Sequence, residues 1–130
     1  MNVLLIEPYY GGSHRAFIES LRRHSEHAYS LATLPARHWK WRMRSAPLTI
    51  LESVTNAIDE GGIPDVVLCT DMLDLPTWQG FVARRKDLAP LLAVPLVVYF
   101  HENQWAYPTA PPARVDHHYG YTNLLSAIAA

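Results

Sequence analysis

Four short apolar runs alternate with stretches of helical spacing, and this alternation constrains the chain more than any other feature. The runs are residues 3–6, 28–34, 65–70 and 95–100. The last is rich in β-branched and aromatic residues and reads as a strand buried on both faces. Between the first two runs, Phe17, Ile18 and Leu21 recur at helical spacing, with Glu19, Arg22 and Arg23 on the other side. Ser13 is an expected N-cap there. Pro47 is expected to open a second helix marked by Leu48, Leu51, Val54 and Ile58 and stopped by Gly61-Gly62. A short helix over 77–85 and a last one carrying Tyr121, Leu124, Leu125 and Ile128 complete the reading, the last following a Pro- and Ala-rich loop over 109–113. Such alternation predicts an α/β fold: a Rossmann-like parallel sheet flanked by helices, with right-handed crossovers.

At 130 residues, the chain has room for one domain with a real core. With 49% apolar and 18% charged residues it reads as globular rather than disordered. A net charge of −1 carries no global attraction to nucleic acid or membrane, so such binding has to be local. One cysteine, Cys69 inside an apolar run, excludes an internal disulfide and fits a reducing compartment. The first residues lack a basic n-region and a long apolar run, so a soluble, cytoplasmic protein is expected. The chain stops within an apolar helical pattern without a cap, and a next strand is expected beyond it.

Ligands of open α/β sheets bind outside the carboxyl ends of the strands. There the fourth run turns abruptly polar, as His101-Glu102-Asn103-Gln104 followed by Trp105 and Tyr107. His101 and Glu102 are read as ligand-facing rather than as a strand cap. A zincin motif fails because Trp105 stands where a second histidine is needed. His117-His118 makes a poor pair of ligands, since adjacent residues on a helix diverge by about a hundred degrees. Gly11-Gly12-Ser13, between the first strand and helix, is either a turn needing positive φ or a place where a phosphate or sugar comes close. It matches neither the dinucleotide fingerprint nor a P-loop. Asp71 and Asp74 either bind a hydroxyl or cap a helix, with Pro76 suiting an early helical position.

The segment 36–44 interleaves five basic or histidine side chains with two tryptophans and contains no acid. Read as a loop, it suits RNA, by charge and by stacking, or else is a solvated basic loop whose tryptophans pack on the neighbouring helix.

Five strings together carry a resemblance: Glu7-Pro-Tyr-Tyr-Gly-Gly-Ser-His14, Thr33-Leu-Pro-Ala-Arg-His-Trp-Lys-Trp-Arg-Met-Arg44, Thr70-Asp-Met-Leu-Asp-Leu-Pro76, Tyr99-Phe-His-Glu-Asn-Gln104 and Tyr119-Gly-Tyr-Thr-Asn123. Over nearly the whole chain, and in order, they resemble the tRNA-queuosine mannosyltransferase-like family of GT-B glycosyltransferases. The resemblance implies a retaining, two-domain enzyme that moves a hexose from a nucleotide sugar of the GDP-mannose type to queuosine in tRNA. It implies that residues 1–130 are the acceptor-side N-terminal domain, truncated at its C-terminal end and lacking the donor domain, so that alone it is inactive. Carried over, His101 and Glu102 are the catalytic candidates, facing the transferred sugar or the acceptor hydroxyl. Gly11, Gly12, His14, Asn103, Gln104 and Asp71 are substrate-binding candidates. Trp39, Lys40, Trp41, Arg42 and Arg44 are tRNA-binding candidates. No metal and no other cofactor is expected, since GT-B enzymes generally stabilise the leaving diphosphate with protein groups. The competing readings are a binding module without transferase activity and a small metal-dependent hydrolase.

Overall fold

The computed structural model describes residues 1–107 and 114–130, so the expected Pro- and Ala-rich loop over 109–113 lies outside the described residues. Four parallel strands form one sheet: β1 (Asn2–Tyr10), β2 (Ala28–Pro35), β3 (Val66–Thr70) and β4 (Leu96–Tyr99), in the order β2-β1-β3-β4. Five α-helices flank it: α1 (Gly12–His24), α2 (Trp39–Thr49), α3 (Leu51–Gly61), α4 (Leu75–Ala83) and α5 (His117–Ala129), with a 3₁₀ turn at Ala89–Ala93. The α/β Rossmann-like architecture expected from the alternating pattern is therefore present. Strand order reverses between β1 and β3, which is where such sheets open a crevice.

Alternation along the strands sorts the core. Leu4 and Ile6 of β1, Ala32 of β2 and Val67 and Cys69 of β3 are buried with Ile50, Val54 and Trp78 of the later helices. Each fully buried aliphatic side chain there contributes about 1.5–3 kcal/mol. The opposite face carries Val3 and Leu5 beneath Ile18 of α1, and Phe17 stacks on Tyr99 with ring centroids 4.0 Å apart. Phe17 itself is only half-buried.

Several expectations change. Strand β4 is not buried on both faces: Val97 and Tyr99 are 49% and 39% exposed, because β4 lies at the sheet edge and α1 covers that face thinly. Ser13 is not the N-cap; α1 starts after Gly11 without a side-chain cap. The basic segment is helical from Trp39, and Pro47 sits inside α2 rather than opening a helix. Met43 explains this, since it buries against Met72 and Tyr119 and that anchoring outweighs the backbone bond lost at the proline. Leu48 is 57% exposed, not core.

Helix α5 is turned about its axis relative to its apolar pattern. It buries Gly120, Thr122, Asn123 and Ser126, and leaves Tyr121, Leu124, Leu125 and Ile128 exposed. Polar anchors select that face. Ser126 Oγ donates to Leu73 O at 3.1 Å and accepts from Leu75 N at the same distance.

Candidate functional site

The site lies where the carboxyl ends of β1, β3 and β4 meet. Ile6 pairs with Cys69, and Thr70 with Tyr99. Continued by one residue, that register sets Glu7 level with Thr70 and Tyr99, and Asp71 and His101 follow just beyond these strand ends. Regular pairing of β1 breaks between Glu7 and Tyr10, which tolerates Pro8 in a central strand. Gly11 then passes so close to Ala36 that an added Cβ would stand 2.5 Å from the alanine Cβ. Gly12 takes φ of 52°, so the turn reading of the glycine pair holds at that residue.

Glu7 is fully buried. Its Oε1 accepts from Tyr9 N at 2.7 Å, and Oε2 lies 3.0 Å from His14 Nδ1. The His14 ring packs on His101, centroids 3.9 Å apart and planes tilted by 38°. Tyr99 and Phe17 meet the His101 ring edge-on. The His101 backbone N–H donates to Asp71 Oδ1 at 3.1 Å, while His101 Nε2 is buried with no protein partner among the described residues. Burial pulls His14 towards release of its proton, but the hydrogen bond and charge of Glu7, then Asp71 and Glu102, outweigh it and raise the group. Burial and the neighbouring His14 charge lower His101, against Glu7. Burial raises Asp71 to about 6, opposed by the His101 N–H and by His14.

The two aspartates thus divide the roles left open by the sequence. Asp74 is the N-cap of α4, accepting from Thr77 N at 3.3 Å, whereas Asp71 holds the chain at His101. Asn123 of α5 locks the following loop: its Nδ2 donates to Asp71 O at 3.0 Å and its Oδ1 accepts from Gln104 N at 3.2 Å. Gln104 Nε2 donates to Glu102 Oε1 at 3.2 Å. Asn103 is exposed, and its Oδ1 caps Trp105 N at 2.8 Å.

Beside these groups lies a cavity of about 270 Å³. Tyr9, Trp39 and Tyr107 give it aromatic walls, and Ser13, His14, Glu102 and Gln104 line it with polar groups, with Met72 completing the lining. Glu7, His14 and His101 each offer a ligand atom within 4.8 Å of the others. His14 Nδ1 is already engaged by Glu7, however, and the two rings pack on each other at a tilt of 38°. The arrangement suits hydrogen bonding to a hydroxylated ligand better than a tetrahedral ion.

The basic segment is divided by its helix. Trp39 leaves the surface group, packing on Tyr119 at 5.1 Å and lining the cavity. Arg42 donates to Pro35 O at 3.0 Å. Lys40 pairs with Asp116 at 2.8 Å, which raises the amine and lowers the carboxyl. Arg44 Nη1 lies 3.1 Å from His118 Nε2. Trp41, 74% exposed, and Arg44 remain on the outside.

Glu7, Tyr9, Met72, Tyr107 and Asn123 were absent from the sequence-based candidates. Glu7 and His14 stand seven residues apart across the glycine turn, the one local signal that could have coupled them. Asn123 carried no signal beyond its polarity in an apolar helix and its place at the end of the string Tyr119-Gly-Tyr-Thr-Asn123.

The tRNA-queuosine alpha-mannosyltransferase N-terminal family matches residues 2–130. A tRNA-queuosine alpha-mannosyltransferase of Drosophila melanogaster is 36% identical over 130 residues, covering 99% of this chain. The chain spans 32% of the length of that relative. No solved structure matches the chain. Among the described residues, no helix is long and apolar enough to cross a membrane.

Proposed function

The chain belongs to the tRNA-queuosine alpha-mannosyltransferase N-terminal family, and on that premise we propose that it forms the acceptor-side wall of a sugar-transfer cleft. The observation that carries this reading is the cavity at the strand ends. Its aromatic walls suit a planar base, and His14, Glu102 and Gln104 offer it polar groups that hydrogen-bond hydroxyls. The acceptor is the queuosine nucleoside of a tRNA, in keeping with the activity for which the fly relative is named. The donor is a nucleotide sugar of the GDP-mannose type, held by a second domain of a retaining GT-B enzyme that lies in the remaining length of such relatives. His101 and Glu102 face the transferred sugar or the acceptor hydroxyl, in the cytoplasm and without a bound metal. Trp41 and Arg44 supply the outward contact to the nucleic acid, by stacking and charge.

Fluorescence anisotropy with labelled tRNA tests this. The chain is expected to bind queuosine-containing tRNA more tightly than the same tRNA bearing guanosine at that position, and less tightly as salt rises. Trp41→Ala with Arg44→Ala should weaken both complexes several-fold. Equal affinity for the two tRNAs would remove the acceptor assignment, and unchanged affinity in the double variant would remove α2 from the interface. A binding module without transfer is the second reading. Sugar transfer by this chain alone would rule that out.

A further inference from the structure

Glu7 is the buried group that the proposed transfer leaves without a task. A fully buried carboxylate is costly unless it is paired and hydrogen-bonded. Holding the turn at Tyr9 occupies only one of its oxygens. The other is directed at His14, a side chain that lines the cavity. A carboxylate only accepts, so the shared proton sits on His14 Nδ1 and Nε2 is left for the cavity. His14 in turn lies flat against His101, whose backbone is held by Asp71 and whose Nε2 has no protein partner among the described residues.

We propose that Glu7 is a positioning residue of this cleft: it locks the tautomer and ring plane of His14 and, through the packed rings, the orientation of His101. Two imidazoles with different roles are thereby held in fixed relation, His14 lining the cavity and His101 packed against it. Two rings in contact do not both take up a proton cheaply. The charged and titratable groups facing them are Glu7 and Tyr9 from β1, Tyr99 from β4, Asp71 from the turn after β3 and Glu102 from the loop after β4. Of these, Glu7 touches His14 directly, and so it decides which ring protonates first. His14 becomes the donor and His101 the neutral acceptor. The assignment of these roles to sugar transfer rests on the function proposed above; the locking itself does not.

Long-range ¹H–¹⁵N imidazole spectra of the labelled chain, followed across about pH 5 to 9, read this directly. The wild type should show an Nδ1–H tautomer at His14 and a midpoint for His14 above that of His101. In Glu7→Gln the His14 midpoint should fall by roughly half a pH unit or more and its Nδ1–H tautomer should no longer dominate, while dispersed amide spectra report an intact fold. An unchanged His14 midpoint and tautomer in that variant would overturn the proposal. Should Glu7→Gln not fold, His14→Asn carries the test, because removing the cationic neighbour must raise the His101 midpoint; an unmoved midpoint overturns it equally. Loss of queuosine discrimination in the anisotropy assay bears on the acceptor reading alone, so the two failures are distinguishable.

Discussion

Replacing Asp71 by Asn should stabilise the protein at neutral pH, although it removes a charge that accepts a hydrogen bond. The carboxyl of Asp71 is raised from 3.8 to about 6, chiefly by burial. An acid whose folded value lies above its unfolded one binds more protons in the native state between those values, so stability falls as pH rises through that window. A rise of that size corresponds to about 3 kcal/mol of penalty above pH 6. Asn presents the same oxygen to the His101 N–H, and the advantage of a charged acceptor there is already contained in the value of about 6. The expected net gain is therefore about 3 kcal/mol at pH 7.5, shrinking towards zero near pH 4, where native Asp71 is already protonated. Urea denaturation of wild type and Asp71→Asn at both pH values measures it. A variant that is less stable at pH 7.5, or a difference that does not shrink on acidification, would refute the argument that burial governs this carboxyl.

Other substitutions probe the frame of the site. Gly11→Ala places its Cβ against the Ala36 Cβ and should cost about 1–3 kcal/mol in a thermal or urea melt; an unchanged melt would show that the turn yields freely. Asn123→Ala orphans both the Asp71 carbonyl and the Gln104 N–H and should cost about 2–4 kcal/mol. Hydrogen exchange at Gln104 should accelerate in the same variant, and protection equal to wild type would mean that the latch is not what holds the loop.

Much of the fold was legible because strands and their order along the chain are written locally. Each of the four apolar runs became a strand, and Asp74 became the helix cap that its residue type favours. The polar string after β4 proved to lie at the carboxyl edge of the sheet, where an apolar run turning polar places it. The face of α5 was not legible. Its apolar residues point outward because Asn123 and Ser126 find buried backbone partners about fifty residues away, which no periodicity reports. The helical state of α2 was equally hidden: a basic, tryptophan-rich stretch with an internal proline reads as a loop until Met43 has a pocket to fill.

The same division holds at the site. Residue type and order alone determined that a histidine and a carboxylate would follow β4 and that a glycine turn would follow β1, since both are consequences of local pattern. Only the tertiary structure decided that Glu7 would be buried, that it would grip His14, and that His14 would lie on His101. Those relations depend on register across three strands and on burial, and the chemistry of an imidazole is set by what surrounds it rather than by its place in the chain.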